Sequence, residues 1–339
     1  MQPKESNITI TDNKNKIIEL LNDLVLSPRL QALKWAQITK QTPNMKIGYP
    51  GQHLASLVTG MPGTRTGARG HDLSDGSETK SCSRVDQVDK CMDCDAKVMR
   101  LESICPECNS ANIKHNNDSK WLFTIRSQSD LDLLIKDVPR VILALADYPN
   151  LEAKDFETVS FKIYEIWPQN TRHSCFAELM KSYYELIYLV QKQNYPNKTP
   201  APKNFWPDSY QFYKCNPVLT FSAIVTNANT FPKIQINTLI APNFDRQMLT
   251  PVAMPSQLLS ADELVTVISA GSDEELTKCL SPTASINELR DIVQILPIKK
   301  NKLKDICKML PFLNEALRKP LSLRDTNKPL NFIKKHVRG

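Results

Sequence analysis

The 339-residue sequence contains no apolar run of the roughly 18 residues that a membrane-spanning helix requires. Residues 1–16 are polar and lack the apolar stretch of a secretory signal peptide. The chain also has no repeat of fixed period and no long low-complexity segment. We therefore expect a globular cytoplasmic protein without a membrane partner, whose thiols stay reduced and serve as metal ligands or core residues rather than disulfides.

Glycine is scarce and unevenly placed. The chain has 9 glycines, and five of them lie within residues 51–70: Gly51, Gly60, Gly63, Gly67 and Gly70. Because glycine tolerates conformations and close approaches that other residues do not, this clustering predicts backbone that turns sharply or comes close to a ligand.

Positive charge is concentrated near the C-terminus. Residues 281–339 contain 13 Lys and Arg but only 5 Asp and Glu, whereas the net charge of the whole chain is +7. A basic segment on a neutral body fits a polyanionic partner, because neutralising phosphates releases condensed counterions. A solubilising surface explains the same charge equally well.

The hydrophobic pattern predicts a mixed α/β fold with a helical C-terminal part. We expect helices at residues 14–38, with a break at Pro28, and at 172–192, and strands at 120–127, 140–147, 158–167 and around 234–238. Three Ser-x-x-Glu capping boxes, which begin at Ser260, Ser272 and Ser285, predict helices, and two more are expected at Leu303–Leu310 and Phe312–Arg318. The predicted divisions are a core at 1–200 with an insert at about 88–115, an aromatic strand-rich extension of that core at 201–255, and a basic helical domain at 256–339.

Four cysteines form two CxxC pairs. Cys91 and Cys94 are separated by ten residues from Cys105 and Cys108. Four thiolates at this spacing can surround one zinc ion, and four protein ligands leave no open position for a substrate, so the expected zinc is structural. A redox dithiol would need only one CxxC pair. His115, just beyond the cluster, could replace a cysteine ligand, although a surface histidine is the more common situation.

A short acidic segment precedes this insert. Asp75-Gly76 is a strong turn signal, and a three-residue loop 74–76 would place Gly76 in the left-handed conformation. Asp72 would then face Glu78 across an antiparallel ladder, and Lys80 would share the face of Glu78 because strand side chains repeat every two residues. The alternative is a solvated hairpin whose carboxylates pair with Lys80.

Two carboxylates beside a lysine have a chemical use. Asp72, Glu78 and the backbone carbonyl of Thr79 offer the oxygen ligands that Mg²⁺ prefers. A lysine next to such a metal can orient a water molecule and stabilise negative charge on a phosphodiester. The trio Asp72, Glu78 and Lys80 is therefore our candidate catalytic site.

On these residues the sequence resembles the PD-(D/E)xK nucleases, with Asp72 as the first acid and Glu78-Thr79-Lys80 as the triplet. His71 stands where the motif has proline. Many members carry another acid on the preceding helix, where this chain offers Gln52 or His53 as accessory residues. More specifically, the chain is similar to the MamI-type restriction endonucleases through residues 48–60, 63–83, 117–127 and 201–216, together with the double CxxC.

The resemblance implies a fold and an activity. It implies a mixed-sheet PD-(D/E)xK nuclease core with a zinc-knuckle insert and a C-terminal helical domain, in a bacterial or archaeal cell. It also implies Mg²⁺-dependent cleavage of double-stranded DNA at an interrupted palindrome of the GATNNNNATC kind by a homodimer, since two-fold DNA is most simply read by a two-fold protein. The alternatives are a non-catalytic zinc-containing DNA-binding regulator and a structure-selective DNA repair nuclease.

Basic residues surround the acidic segment and the cysteine insert in sequence. Arginine and lysine near an active site can grip phosphates, and arginine can also read guanine. Each of these residues taken singly is more often a surface charge, but as a cluster they favour DNA binding. The candidates for DNA contact are Arg65, Arg69, Arg84, Lys120 and Arg126.

Overall fold

The computed structural model describes residues 1–65, 71–294 and 300–324. Its α-helices are α1 Asn13–Leu21, α2 Ser27–Thr39, α3 Gly48–Thr59, α4 Gln128–Asp132, α5 Ser174–Tyr183, α6 Leu189–Asn194, α7 Tyr210–Lys214, α8 Ala261–Ala270, α9 Asp273–Thr277, α10 Ile286–Gln294, α11 Lys300–Met309 and α12 Glu315–Arg318. Its strands are β1 Glu78–Ser83, β2 Asp89–Cys91, β3 Lys97–Val98, β4 Ile113–Lys114, β5 Trp121–Phe123, β6 Val141–Asp147, β7 Val159–Ile166, β8 Lys203–Phe205, β9 Val218–Thr226, β10 Lys233–Leu239, β11 Met254–Pro255 and β12 Phe312–Leu313. The predicted mixed α/β class is confirmed. Among these helices, none is both long and apolar enough to cross a membrane.

The chain forms two compact units that are interleaved in sequence. The first unit comprises Met1–Phe123, Asp132–Pro168 and Leu219–Gln247, and the second comprises Thr124–Leu131, Gln169–Val218 and the described residues from Met248 onward. This differs from the sequential divisions expected at residues 200 and 255. Strands β9 and β10, which lie in the predicted extension of the core, belong to the same sheet as β1, β6 and β7, so the first unit includes them.

A five-stranded mixed sheet, in the order β1-β6-β7-β9-β10, is the centre of the first unit. Strand β1 runs parallel to β6, with Glu78 opposite Val141 and Ser83 opposite Ala146, whereas β6 and β7 are antiparallel. Every residue of β6 is buried. A short apolar run without alternation, such as Val141–Asp147, is expected of a strand covered on both faces, as the sequence indicated. Strand β1 lies at the edge of this sheet.

Helix α3 packs closely on β1 and β6. A Cβ atom at Gly51 would lie 2.1 Å from Ser81 Oγ and 3.3 Å from the Cβ of Ala144, so only glycine permits this approach. Helices α1 and α2 are joined by a π-helical turn at Asn22–Leu26, where Ser27 N–H donates to the carbonyl of Asn22. The wider turn accommodates Pro28, which lacks an N–H and clashes with a regular preceding turn. The chain therefore stays helical through Pro28, and the predicted interruption takes the form of this π-helical turn, after which the α-helix restarts at Ser27.

The second unit contains helices α8 to α12 and the short antiparallel pair β11–β12. Ser260 and Glu263 form the complete reciprocal capping box that the sequence predicted. At α9, Ser272 Oγ accepts from Glu275 N–H, but the Glu275 carboxylate bonds Lys278 and Asn314 instead of returning to the cap. Helix α10 follows Ser285 directly.

Two predictions in this part of the chain are wrong. Residues 312–313 form strand β12 rather than the start of a helix, because they pair with β11 and Asn314 then caps α12 by accepting from Leu317 N–H. Residues 210–214 were assigned to a strand-rich stretch but form helix α7, whose first turn is capped by Ser209. A long-range strand pair thus overrides the expected helix at 312–313, and a local cap overrides the expected strand at 210–214.

A buried ion pair ties helix α2 to the sheet. The guanidinium of Arg29 makes two hydrogen bonds to Asp86, at 2.8 and 2.9 Å, and Tyr148 Oη donates to the same carboxylate at 2.8 Å. Burial opposes the charge on Arg29, but Asp86 outweighs it and raises the pKa of Arg29. All three side chains are almost fully buried.

We expect Asp86→Ala to lower the free energy of unfolding by about 3–5 kcal/mol, because it leaves the Arg29 charge buried without its partner. Urea denaturation measures this loss. Lys136→Ala, which breaks the exposed ion pair between Lys136 and Asp132, should leave the free energy nearly unchanged. Similar losses in both variants would contradict the buried role of Asp86.

Candidate active site and metal centre

The acidic segment contains the predicted three-residue turn. Gly76 N–H donates to the carbonyl of Leu73 at 2.9 Å, and Leu73 N–H donates to the carbonyl of Ser77 at 3.2 Å. Gly76 has a φ of 87°, in the left-handed region that favours glycine. The Asp75-Gly76 signal is therefore confirmed as a hydrogen-bonded turn that ends in a left-handed residue.

The antiparallel ladder expected beyond this turn does not form. Leu73 makes its bridge with Gly63, and the chain after the turn enters β1, which pairs in parallel with β6. Asp72 is therefore not opposite Glu78 in a ladder. The ladder fails because β6 supplies the strand partner for β1, with Glu78 N–H donating to the carbonyl of Arg140 at 3.0 Å.

Asp72 reaches β1 through its side chain instead. Because Glu78 N–H points toward β6, the N–H of the next residue, Thr79, points toward the free edge of the sheet. Asp72 Oδ2 accepts this N–H at 2.7 Å. The carboxylate therefore caps the free edge of β1 beside Glu78.

The three predicted side chains come together at this edge. Lys80 Nζ forms an ion pair with Glu78 Oε1, and both residues lie on one face of β1. The charges of Glu78 and Lys80 both act on the Asp72 carboxyl. Glu78 is buried and Lys80 half-buried, so water screens these charges less than it would on an open surface.

The electrostatics of Asp72 favour a cation. Burial raises the pKa of Asp72, the Thr79 N–H lowers it, Glu78 raises it and Lys80 lowers it, with a net rise above the ordinary value. The ionised carboxylate is thus incompletely compensated by the protein. A divalent cation between the two acids would favour the ionised carboxylate and lower the pKa of Asp72.

Gln52 belongs to the cluster, and His53 points elsewhere. Gln52 Nε2, on helix α3, donates to Asp72 Oδ1 at 3.2 Å, so both carboxylate oxygens of Asp72 are held. The ring of His53 lies edge-on to Tyr49 at a centroid distance of 4.4 Å. Of the two accessory candidates, Gln52 is the one that contacts an acid.

The donor set fits a hard divalent cation. Asp72 and Glu78 supply carboxylate oxygens, and the carbonyl of Thr79 points to the same edge as its N–H. Thr79 contributes its carbonyl and not its hydroxyl, because its side chain lies on the opposite face of β1 from Glu78 and Lys80. The ion pair with Lys80 offsets one of the two negative charges, which leaves the other for a cation.

The four predicted cysteines form a compact cluster. Their sulfur atoms all lie within 4.8 Å of one another, with Cys91 Sγ 3.6 Å from Cys108 Sγ and Cys94 Sγ 3.5 Å from Cys105 Sγ. Zn–S bonds of about 2.3 Å in a tetrahedron separate the sulfurs by roughly 3.8 Å. The cluster is therefore compatible with a zinc ion, as the CxxC spacing predicted.

Backbone amides of the knuckle turns face the sulfurs. The N–H groups of Asp93 and Cys94 lower the pKa of the Cys91 thiol to about 7, whereas the neighbouring sulfurs raise the pKa of the Cys94 and Cys108 thiols. A lowered thiol pKa favours the thiolate, which is the metal-binding form. Strands β2, β3 and β4 frame these turns, so the insert closes on itself within the first unit.

His115 lies outside the sulfur cluster. Its Nδ1 is 2.7 Å from Asp89 Oδ2, and its ring contacts Phe156 edge-on. Asp89 also makes two hydrogen bonds with the fully buried Arg100, at 2.7 and 2.8 Å. The contact with Phe156 joins the insert to the core, and the bonds of Asp89 to His115 and Arg100 stabilise the insert itself.

Comparison with known proteins identifies the family. The family model of the MamI restriction endonucleases matches residues 34–257. The chain belongs to the MamI restriction endonuclease family. Over 72 residues it is 38% identical to the type II restriction enzyme MamI of Microbacterium ammoniaphilum, an alignment that covers 21% of this chain and 23% of that enzyme. No solved structure matches the chain.

The region matched by the MamI family model contains both candidate sites. It includes Gln52, the acidic turn with β1, and all four clustered cysteines. Helices α8 to α12 lie beyond its end at residue 257. The basic C-terminal part is thus outside the shared region, and residues 325–339 lie outside the described residues.

The basic residues predicted to contact DNA occupy different environments. Arg65 and Arg126 are exposed and Lys120 is half-buried, whereas Arg69 lies outside the described residues. Arg84 is a correction: its guanidinium is buried and pairs with Asp147 at 3.0 Å, so it stabilises the sheet rather than facing a ligand. Burial of a charge requires such a partner.

Sequence reasoning missed Arg140 near this site. Its side chain bonds Asp75 and Ser77 in the turn between the two acids. Asp75 was read only as a turn residue, and nothing in the spacing links it to a residue 65 positions later. The local feature that could have drawn attention to Arg140 is that a charged residue stands directly before a buried strand, β6.

We expect Asp72→Asn to raise the melting temperature at neutral pH without added divalent metal. The pKa of Asp72 is raised in the folded protein, so its ionised form opposes folding above that pKa. The gain should shrink as the pH falls and Asp72 becomes protonated. Thermal melts of both proteins at neutral and mildly acidic pH measure this, and a gain that does not change with pH would contradict the explanation.

Proposed function

We propose that this chain is a site-specific endonuclease that hydrolyses phosphodiester bonds of double-stranded DNA with Mg²⁺. Membership of the MamI restriction endonuclease family supports this class of activity. The observation that carries the proposal is the meeting of Asp72, Glu78 and Lys80 at the free edge of β1. In this proposal Asp72, Glu78 and the carbonyl of Thr79 hold the metal.

Each residue has a distinct part in the proposed mechanism. Mg²⁺ at this position would supply positive charge beside the scissile phosphate. Glu78 and Asp72 would bind the metal. Gln52 fixes the rotation of the Asp72 carboxylate through its hydrogen bond of 3.2 Å. With a metal held by Asp72 and Glu78, the ammonium group of Lys80 would stabilise negative charge on the phosphate and orient the attacking water.

The cysteine cluster is proposed to hold structural zinc. Four sulfurs leave no coordination position for a substrate, and the insert has only a small apolar cluster of its own around Cys91, Val98 and Cys105. Zinc binding would supply the folding energy that so small a core lacks.

The target and assembly are also proposals. The resemblance to the MamI-type enzymes supports an interrupted palindrome of the GATNNNNATC kind, read by a homodimer with two-fold symmetry. Double-stranded DNA is the expected partner, with Arg65, Lys120 and Arg126 as candidate contacts. A cytoplasmic location agrees with reduced thiols in the cysteine cluster.

Plasmid cleavage tests the catalytic assignment. With Mg²⁺, the purified protein should cut DNA that contains GATNNNNATC into discrete fragments, and Lys80→Ala should lower the rate by at least about a hundredfold. Lys162→Ala removes a half-buried lysine from β7 of the same sheet and should cut normally. Discrete fragments at an unchanged rate from Lys80→Ala would refute the role of Lys80.

The same assay separates the alternatives. A DNA-binding regulator would bind specific DNA without cutting it in any divalent metal. A structure-selective repair nuclease would cut branched DNA in preference to linear duplex. Either result would replace the restriction assignment.

Metal analysis tests the zinc centre. Cys94→Ser should lose the bound zinc and melt at a lower temperature, because three sulfurs hold the ion less tightly than four. Cys279→Ser changes a half-buried cysteine that belongs to neither CxxC pair and should retain zinc. Full zinc content and an unchanged melting temperature in Cys94→Ser would refute the structural zinc.

A further inference from the structure

We propose that Arg140 is a positioning residue that sets the separation of the two acids through its grip on the intervening turn. This inference rests on the proposed function, since it concerns how Asp72 and Glu78 are held for a cation. Among the described residues, the Arg140 side chain bonds Asp75, Ser77, Glu165 and Met61 rather than either of the two acids. Its effect would be transmitted through Asp75, Ser77 and its own backbone.

Arg140 contacts the turn at three points. Its Nη2 donates to Asp75 Oδ2 at 2.7 Å, and its Nε donates to Ser77 Oγ at 3.0 Å. Its backbone carbonyl accepts the N–H of Glu78 at 3.0 Å. One residue therefore holds the middle of the turn, its end, and the first residue of β1.

The turn itself determines where both acids stand. Only residues 73–77 separate Asp72 from Glu78. The backbone carbonyl of Ser77 accepts hydrogen bonds from the N–H groups of both Asp72 and Leu73. A rotation of Ser77 would therefore move the backbone of Asp72 and Glu78 together. Residues that orient metal ligands are expected to act in this way.

Arg140 is itself fixed by a buried network. Its Nη1 lies 3.3 Å from Glu165 Oε2, and Arg246 contacts the same carboxylate at 3.3 and 3.4 Å. Burial opposes the charge on Glu165, but Arg140 and Arg246 outweigh it and lower its pKa. The Trp167 ring lies under the Arg140 guanidinium, 5.3 Å from its centroid. These contacts hold the Arg140 guanidinium in one orientation.

A matched ion pair at the other end of β6 serves as a control. Arg84 pairs with Asp147 at 3.0 Å, and both side chains are largely buried, as are those of Arg140 and Asp75. Asp147 is the last residue of β6, whereas Arg140 directly precedes its first. Loss of either pair removes a buried Asp–Arg interaction, but only one of them is beside the acids.

The experiment measures Mg²⁺ affinity in Asp75→Asn and Asp147→Asn. The Asp75→Asn variant keeps Oδ1, which accepts Ser77 N–H at 3.0 Å, and removes the charge that Arg140 holds. Titration calorimetry with MgCl₂ should show affinity weakened about tenfold to a hundredfold in Asp75→Asn. The Asp147→Asn affinity should equal that of the wild type, and DNA binding without metal should be unchanged in both.

The outcomes separate this inference from the proposed function. A wild-type protein that neither binds Mg²⁺ nor cuts DNA refutes the proposed function. A wild type that does both, with Asp75→Asn equal to Asp147→Asn in affinity, overturns the role of Arg140. If Asp75→Asn fails to fold, Ser77→Ala removes only the hydrogen bond to Arg140 Nε, and an unchanged Mg²⁺ affinity there overturns the inference in the same way.

Discussion

The free edge of β1 is the constraint on which the candidate site depends. Alternate backbone groups of an edge strand have no strand partner, and a buried N–H without an acceptor is costly. The N–H of Thr79 meets this requirement with the carboxylate of Asp72, not with another strand. Because the Thr79 amide needs an acceptor, the Asp72 carboxylate lies beside Glu78. The Thr79 carbonyl oxygen points to the same edge.

The rest of the first unit holds that edge in place with buried charges. Arg29 with Asp86, Arg100 with Asp89, and Arg140 with Asp75 each combine a guanidinium with a carboxylate almost out of contact with water. Such pairs contribute little net stability compared with apolar side chains, but they tolerate few alternative geometries. The Arg29 pair joins helix α2 to the region of the sheet and the Arg140 pair joins the acidic turn to β6, whereas the Arg100–Asp89 pair lies within the cysteine insert. The arrangement favours fixed orientation over maximum stability.

Short-range signals in the sequence were reliable, and long-range pairing was not. The CxxC spacing, the turn at Gly76 and the capping box at Ser260 each depend on residues a few positions apart, and all were predicted. The parallel partner of β1 begins at Val141, and neither the hydrophobic pattern nor the turn specifies it. For that reason the convergence of the acids could be predicted, whereas its backbone route through Thr79 could not. The same limit applies to the interleaving of the two units, which depends on β9 and β10 returning to the first sheet.

The missing side chain at Gly51 has a consequence for how tightly the acids are supported. Helix α3 rests against Ser81 with only a hydrogen atom between them, and the neighbouring residue, Gln52, reaches Asp72 across that short gap. Any larger residue at position 51 would act as a spacer that lifts the helix and its amide away from the carboxylate. The close approach of helix α3 to β1 at Gly51 therefore allows Gln52 to hydrogen-bond Asp72. Helix packing is in this way linked to the orientation of the Asp72 carboxylate.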